Sequence, residues 1–362
     1  MKIVHLEVGR HLNGGAAQVA GLVNALTEFE NVLVCRPQAA IVEVVASHVR
    51  VVEVPLHGDL DIRAKAKLRN VLEQESPDLL HVHSRAGADR YGGRAARALG
   101  VPTVLTRRVD NPEPRLWARR KFSSYDAIAA ISSPIEHWLR EDVRVPAQRV
   151  TRIASGVDPD KFATRDIARA ELLRRFDIYG NRPIIGAAGQ LIERKGYDVL
   201  LDALPTVIAR HRDLKLILFG RGPKMAALSA QARRLGITDH VVFAGFVSGL
   251  ESLLAGFDAF VHPARTEGLG LVVLEALAAG VPVVACRAGG LVDAIEDGRN
   301  GILAQPDDAP ALTSALLRML EDPIAAGRLA AEGRREVTAR FSLQEMVDGY
   351  RALYSDLLRE SR

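Results

Sequence analysis

Two carboxylates stand eight residues apart in the segment EGLGLVVLE, which begins at Glu267 and ends at Glu275. A carboxylate accepts two hydrogen bonds side by side, so it suits the vicinal hydroxyls of a ribose or a hexose. Taken alone, Glu267 could cap the following helix and Glu275 could be a solvated helix residue. The apolar residues that follow Glu275 disfavour that interpretation, because a charge in an apolar segment is costly without a partner. The pair therefore predicts a site for a hydroxyl-rich ligand.

The glycines between the two carboxylates predict a contact with a phosphate or a sugar oxygen. They lie where a loop would join the strand AFVHP to the helix LVVLEALAAG. The amides of Gly268, Leu269 and Gly270 would then face the ligand at a helix N-terminus, where the helix dipole favours negative charge.

A second motif, GQLIERKGYDVLLDAL, places two cations between a strand and a helix. Arg194 and Lys195 are well placed there to clamp a diphosphate, and the Arg194 guanidinium can bind it through two parallel hydrogen bonds. A charge pair of this kind on an ordinary surface would be unremarkable. Its position at the carboxyl end of an expected strand favours phosphate contact.

Short apolar strands alternate with helix-like segments in both halves of the 362-residue chain. Such alternation predicts parallel sheets with crossover helices, and the length favours two domains. We therefore expect an α/β fold of two doubly wound, Rossmann-like domains at 1–165 and 183–341, joined by a linker at 166–182. The C-terminal helix, 342–362, would pack back on the first domain. Two such halves imply a cleft in which the carboxyl ends of both sheets face a ligand.

These motifs belong to an ordered set that resembles the retaining glycosyltransferases of family GT4, whose two-domain fold is called GT-B. The resemblance covers nearly the whole chain and is strongest between Gly189 and Gly301. It rests on GQLIERKGYDVLLDAL, LFGRGP, VFAGFV, HPARTEGLGLVVLEALAAGVPVVA and AGGLVDAIEDGRNGIL, with weaker support from IASGVDPDKF and FSLQEMVDGY.

The resemblance implies a role for each motif of the second half. Glu267 would contact hydroxyls of the donor sugar, and Glu275 the ribose of its nucleotide. Arg194 and Lys195 would hold the diphosphate and neutralise the charge that grows on it as the glycosidic bond breaks. Two strand-end loops would form the wall around the nucleobase; they carry Arg221, Gly222, Phe246 and Val247. The expected activity is retaining transfer of a sugar from a nucleotide diphosphate donor, such as a UDP-sugar, with no essential metal and no other cofactor.

The glycine loop of the first half also resembles the family. In HLNGGAAQVAGLVNAL, Gly14 and Gly15 allow the backbone to approach a phosphate or an acceptor closely. Two positions depart from the pattern: Ala17 stands where many members have Glu, and Gln190 where many have Arg. The second departure places more of the phosphate contact on Arg194.

Two histidines alternate along the strand LLHVHS, and His83 lies near its carboxyl end. Most such histidines are structural, but His83 joins Glu267, Lys195 and Arg194 in the expected catalytic set. A zinc site is not expected, because no Cys, Asp or Glu ligand accompanies the histidines at a suitable spacing.

Positive charge is concentrated in the first half, where residues 1–180 carry 27 Lys+Arg against 22 Asp+Glu. Many family members have His after the strand VPTVLT, whereas this chain has Arg107 and Arg108. With Arg85, these residues predict an anionic acceptor, either a glycolipid or lipopolysaccharide core or a soluble phosphosugar.

The segment RLWARRKF combines Trp117 and Phe122 with four cations, a pattern typical of a helix on an anionic membrane surface. A packing helix with a solvated basic face would show the same pattern. The segment MKIVHLEVG is without the long apolar region of a signal peptide, no apolar run is long enough to span a bilayer, and only two cysteines occur. We therefore expect a cytoplasmic protein with peripheral contact at the inner face of the membrane.

Three rival functions remain open. A sugar-nucleotide epimerase or a phosphorylase could use the same architecture, and a non-catalytic module could bind RNA or another anion through the basic half. Few aromatics are interleaved with the basic residues, so nucleic acid is not an expected partner. No G-x-G-x-x-G follows the first strand, which disfavours a dehydrogenase. The acidic triplets Asp59–Asp61 and Asp158–Asp160 are too short to indicate a metal site.

Overall fold

The computed structural model describes residues 1–56, 61, 63–83, 87–180 and 182–360. They form two compact units. Unit 1 holds Met1–Gly156 and the chain from Leu343 onward, and unit 2 holds Val157–Ser342. Arg85 and Asp59, singled out in the sequence, lie outside the described residues.

The described strands of unit 1 form one parallel sheet in the order β3-β2-β1-β4-β5-β6-β7. Nearly all residues of its central strands are buried, as expected for a sheet covered on both faces. The strands are β1 (Lys2–Leu6), β2 (Glu30–Cys35), β3 (Arg50–Glu53), β4 (Leu79–Val82), β5 (Thr103–Arg107), β6 (Ala127–Ala130) and β7 (Val150–Arg152).

Helices cover both faces of this sheet. They are α1 (Gly14–Ala25), α2 (Ala64–Glu75), α3 (Ala88–Arg97), α4 (Arg115–Phe122) and α5 (Ser133–His137), with the C-terminal helix Leu343–Glu360, here α13. The last of these buries Met346, Val347, Tyr350 and Tyr354 in the unit 1 core.

Unit 2 repeats the plan with the strand order β10-β9-β8-β11-β12-β13, again parallel. Its strands are β8 (Ile184–Ala188), β9 (Lys215–Phe219), β10 (Val241–Gly245), β11 (Ala259–His262), β12 (Val283–Cys286) and β13 (Ile302–Ala304). Its helices are α6 (Arg165–Arg175), α7 (Tyr197–Arg210), α8 (Met225–Arg234), α9 (Leu271–Ala278), α10 (Leu291–Ala294), α11 (Ala309–Glu321) and α12 (Pro323–Arg340).

Residues 166–182 belong to unit 2 and do not form a linker, contrary to the sequence-based expectation. Helix α6 fills much of that range, and Arg165 and Arg169 both bind the carboxylate of Asp258, at 2.7 and 2.8 Å. The same carboxylate accepts the amide of Ile184, the first residue of β8, at 2.8 Å. Turn residues before β8 suggested a boundary, but the ion pairs that fasten α6 to unit 2 are visible only in three dimensions.

Each sheet has one point at which the winding reverses. In unit 1 it lies between β1 and β4, and in unit 2 between β8 and β11. Loops that leave the carboxyl ends of two such strands diverge to opposite faces of the sheet, so a crevice opens between them. The two crevices are therefore the places in each unit where a ligand is expected. None of the helices in the described ranges combines the length and apolar character needed to cross a membrane.

Candidate functional site

The winding reversal of unit 2 brings the two charged motifs together. Strand β8 leads into the loop with Arg194 and Lys195, and β11 leads into the loop with Glu267. The backbones of the two loops touch, since the amide of Arg265 donates to the carbonyl of Arg194 at 2.8 Å.

Glycines permit this close approach. Gly196 has φ +66°, and a Cβ there would lie 2.0 Å from the carbonyl oxygen of Pro263 on the second loop. A Cβ on Gly220 would lie 1.8 Å from the carbonyl oxygen of Gly189. A side chain on Gly196 would push the loops after β8 and β11 apart, and one on Gly220 would push the loop after β9 away from the loop after β8.

Glu267 is the centre of the polar contacts between the loops. One carboxylate oxygen, Oε2, binds Lys195 Nζ and accepts a hydrogen bond from His262 Nε2 at 2.8 Å. The other, Oε1, accepts the amide of Gly268 at 3.1 Å and lies 4.0 Å from Arg194 Nη1. The carboxylate is therefore held on both oxygens.

These contacts fix the charge of each group. Burial opposes ionisation of Glu267, but the hydrogen bond from His262 and the charge of Lys195 outweigh it and hold its pKa well below the usual range. Burial and the charge of Lys195 lower the pKa of His262, so its imidazole is neutral and donates from Nε2. Glu267 thus remains an anion between the charged Lys195 and the neutral His262, with Arg194 4.0 Å from its other oxygen.

Arg265 holds the second loop in place. Its guanidinium donates twice to the carboxylate of Asp198, at 2.9 and 2.7 Å, and also binds Asp307 and the carbonyl of Glu193. Because Asp198 lies in the first turn of α7, this network ties the loop after β11 to the helix that follows Lys195. His262 and Arg265 were both missed by the sequence analysis.

The glycine segment after Glu267 leads into α9 as expected, with Gly270 at φ +83° immediately before the helix. One feature differs from the sequence-based expectation. The amide of Gly268 is occupied by the carboxylate of its own neighbour, Glu267, rather than available to a ligand. Leu269 is buried and anchors the segment.

Glu275 lies in α9 with no side-chain partner among the described residues. Burial, with a smaller contribution from the negative charge of Glu251, raises its pKa to about 7. A carboxylate in this condition gains most from a ligand that donates hydrogen bonds to it.

The expected nucleobase wall lies at the same edge of the sheet. Arg221 and Gly222 follow β9, and the carbonyl of Arg221 accepts the amide of Leu191 at 3.0 Å. Phe246 and Val247 follow β10, and the Phe246 side chain is 60% exposed. An exposed aromatic ring at a strand end is available for stacking on a base.

The unit 1 candidates separate into two groups. Gly14 and Gly15 begin α1, and His83 and Arg108 follow β4 and β5, so all four lie near the unit 1 reversal. Arg107 does not join them, contrary to expectation. It is 3% exposed, and its guanidinium binds Glu113 and the carbonyl of Asn111.

A third histidine, His5 on β1, joins His81 and His83, so that three imidazole nitrogens lie within 4.8 Å of one another. Protein groups already engage most of these nitrogens. His81 binds Tyr354 and Thr106, and His5 binds Asn31 and His83. The cluster is therefore a hydrogen-bonded network in the core of unit 1 rather than a preformed set of metal ligands.

Comparison with known proteins identifies the family. The family model described as Glycosyltransferase Family 4 matches residues 12–161, and that described as Glycosyl transferases group 1 matches residues 182–322. The alpha-D-kanosaminyltransferase of Streptomyces kanamyceticus is 30% identical over 309 residues, which are 80% of each chain. This chain belongs to the group 1, family 4 glycosyltransferases.

Other family members are similar over different lengths. A GDP-mannose-dependent alpha-(1-6)-phosphatidylinositol monomannoside mannosyltransferase of Mycolicibacterium smegmatis is 38% identical over 198 residues, 52% of each chain, so the match spans about half the length of that relative. The lipopolysaccharide core biosynthesis glycosyltransferase LpsE of Rhizobium meliloti is 28% identical over 97% of this chain and 98% of its own.

A solved structure establishes the fold of this glycosyltransferase chain. The HepE protein of Anabaena, determined with UDP-glucose, superposes with a TM-score of 0.87 at 21% identity, covering 98% of this chain and 100% of that one. The predicted GT-B fold is confirmed.

The raised pKa of Glu275 predicts that the stability of the protein depends on pH. Its folded-state pKa of about 7 lies above its ordinary value of 4.5, so the folded protein keeps a proton that the unfolded chain releases. Stability should therefore fall between pH 4.5 and 7 by up to about 3 kcal/mol relative to Glu275→Gln, which has no proton to lose. Urea unfolding across this pH range measures the difference.

Two further variants sharpen that experiment. Glu251→Gln removes the neighbouring negative charge and should move the fall to lower pH, whereas Glu141→Gln, at an exposed position of unit 1, should follow the wild type. Parallel pH profiles for the wild type and Glu275→Gln would contradict the assignment.

Proposed function

We propose that this chain is a retaining glycosyltransferase, which moves a sugar from a nucleoside diphosphate donor to an acceptor hydroxyl. One observation carries the proposal: two loops at the winding reversal of unit 2 gather Arg194, Lys195 and Glu267, and an unpartnered Glu275 lies on the next helix. Cations beside carboxylates match a ligand whose diphosphate lies between two sugars that both carry hydroxyls.

The two cations act on the leaving group. As the bond between the anomeric carbon and the phosphate oxygen lengthens, negative charge grows on the diphosphate and Arg194 and Lys195 neutralise it. Lys195 pairs with Glu267 in this structure, so donor binding exchanges one anionic partner of the lysine for another. Because these two side chains neutralise the diphosphate, no metal ion is needed for that purpose, and we propose that none is essential.

Glu267 orients the sugar instead of attacking it. Both of its oxygens are already held, by Lys195 and His262 on one side and by the Gly268 amide on the other. A carboxylate so fixed accepts hydrogen bonds from sugar hydroxyls but is poorly placed to form a covalent intermediate. In the proposed reaction the acceptor oxygen bonds to the anomeric carbon on the face that the phosphate leaves, and its proton passes to the departing phosphate oxygen.

Glu275 and the loops after β9 and β10 hold the nucleoside. The unpartnered carboxylate of Glu275 would accept hydrogen bonds from the two ribose hydroxyls, and the ring of Phe246 would stack on the base. The M. smegmatis relative is named for GDP-mannose and the Anabaena structure contains UDP-glucose, so both bases belong in the test.

A thermal-shift panel at pH 8 tests the donor site, with UDP, GDP, ADP and their common sugar conjugates. We expect one nucleoside diphosphate to raise the melting temperature selectively, and the shift to persist in EDTA. Glu275→Ala should weaken the binding of that nucleotide about tenfold to a hundredfold, because two hydrogen bonds to a charged group are lost. Glu141→Ala, which removes an exposed carboxylate from unit 1, is the control. The proposal fails if no nucleotide or nucleotide sugar shifts the wild type.

The acceptor is proposed to be an anionic glycolipid of the cell envelope. The relatives named for phosphatidylinositol mannoside and for the lipopolysaccharide core support this class. Helix α4 adds a structural argument, because it turns Ala118, Lys121 and Phe122 inward and leaves Leu116 81% and Trp117 64% exposed. Two large exposed apolar side chains beside Arg120 fit the interface of an anionic bilayer.

Vesicle co-sedimentation tests this surface. The wild type should bind vesicles of phosphatidylglycerol more strongly than those of phosphatidylcholine, and the binding should weaken as salt rises. The double variant Leu116→Ser, Trp117→Ser should lose most of it. Ile324→Ser removes a comparably exposed residue, 72%, from unit 2 and should change nothing. Equal binding to both lipids, or none, would instead favour a soluble phosphosugar acceptor.

A further inference from the structure

The carboxyl edge of the unit 1 sheet carries one chemically active residue on each of four adjacent strands. Glu7 follows β1, Arg36 follows β2, His83 follows β4 and Arg108 follows β5. The sheet order β2-β1-β4-β5 places these strand ends side by side across the winding reversal. Parallel strands end at one edge, so the four residues surround the crevice of unit 1.

The hydrogen bonds assign a single tautomer to His83. The side-chain amide of Asn31 donates from Nδ2 to the carbonyl of Leu26 at 2.6 Å, so its Oδ1 accepts from His5 Nε2 at 3.0 Å. Neutral His5 then offers only a lone pair at Nδ1, which accepts from His83 Nε2 at 3.1 Å. The other nitrogen of His83, Nδ1, is consequently an acceptor without a proton.

That nitrogen is buried and has no hydrogen-bond partner among the described residues, and His83 is only 3% exposed. Burial lowers the pKa of His5 to about 4 and that of His83 well below its ordinary value, so both rings stay neutral. His83 Nδ1 therefore suits a hydroxyl donor. It would not keep a proton taken from that hydroxyl.

Two guanidinium groups at this edge, both close enough to Glu7 to act on its charge, present unused donors. Nε and Nη2 of Arg108 and Nε of Arg36 are buried without a partner among the described residues. Nη1 of Arg108 donates to Ser155 Oγ at 3.3 Å. A Cβ on Gly15 would lie 3.7 Å from Cδ of Arg108, so this arginine lies beside the first turn of α1, where the helix dipole favours an anion.

One carboxyl group offsets part of this positive charge. Glu7 is buried, its Oε1 accepts the amide of Gly9 at 2.7 Å, and the charges of Arg108 and Arg36 act against the effect of burial on its pKa. With Glu7 ionised the three side chains still carry a net positive charge. The unused donors and the net charge both call for an anionic ligand.

We infer that this edge of unit 1 is an acceptor subsite for a molecule that carries a phosphate or carboxylate beside a free hydroxyl. Arg108 and Arg36 bind the anionic group, and His83 Nδ1 accepts a hydrogen bond from the hydroxyl and orients it. The inference rests on the proposed transferase function. His83 is a positioning group for the hydroxyl and does not take its proton.

Calorimetric titration of the full chain tests the subsite. UDP or GDP, whichever binds, is kept saturating so that Arg194 and Lys195 are occupied. The probes are glucose 6-phosphate, inorganic phosphate and glucose, which separate the anion from the hydroxyls. We expect glucose 6-phosphate to bind more tightly than either part. Arg108→Gln should weaken both phosphate probes about tenfold or more, Arg36→Gln should weaken them less, and Arg97→Gln, on α3, should not.

His83 variants separate positioning from structure. In Asn the side-chain oxygen can occupy the place of Nδ1, so His83→Asn should retain most of the affinity for glucose 6-phosphate. His83→Leu should lose it while keeping the affinity for inorganic phosphate. Arg108→Lys, which keeps the charge with a different donor geometry, should fall between the wild type and Arg108→Gln and guards against a folding defect in that variant.

The source of the anion is decided by a parallel measurement with phosphatidylinositol vesicles. If Arg108→Gln weakens vesicle binding but not that of glucose 6-phosphate, the subsite takes a lipid headgroup; the reverse identifies a soluble phosphosugar. The inference is overturned if Arg108→Gln and Arg97→Gln behave alike with every probe, or if no anionic probe binds while the nucleotide does. Failure of the nucleotide itself would instead remove the proposed function.

Discussion

The carboxylate of Glu267, placed between Lys195 and the neutral imidazole of His262, is the interaction on which the unit 2 site depends. It joins the loop after β8 to the loop after β11 at the point where the sheet changes its direction of winding. Gly196 lets the loop backbones meet, and Arg265 fastens the second loop to α7. The same pair keeps two charged groups neutralised in the absence of a donor, so the site can be buried without an uncompensated charge.

Both units gather polar residues where the winding of the sheet reverses, but the residues suit different ligands. In unit 2 the reversal between β8 and β11 gathers cations and carboxylates, which suits a diphosphate flanked by two sugars. In unit 1 the reversal between β1 and β4 gathers Arg36, Arg108 and a histidine lone pair, which suits an anion next to a hydroxyl. A transferase needs both kinds of site, one for the donor and one for the acceptor. The fold supplies the two crevices, and the strand-end side chains determine what each can bind.

The sequence was sufficient for the fold class and for most strand-end residues of unit 2, because glycine loops and charges after apolar strands indicate the carboxyl edge of a parallel sheet. It was insufficient wherever a role depends on a distant partner. His262 was visible only as a polar residue ending an apolar strand, and His5 only as a polar residue inside one. Arg107 and Arg108 are adjacent in sequence, yet the first is occupied by Glu113 and the second has unused donors. The 166–182 segment was misassigned because its ion pairs reach Asp258.

The most direct test of the central claim is the affinity for the nucleoside diphosphate, without a sugar, in Glu267→Gln and Lys195→Met. If Lys195 exchanges Glu267 for the diphosphate, Glu267→Gln frees the lysine and removes a nearby negative charge, so this variant should bind at least as tightly as the wild type. Lys195→Met should bind about tenfold more weakly. An equal loss of affinity in both variants would mean that the pair supports the loops without exchanging partners, and would contradict the account.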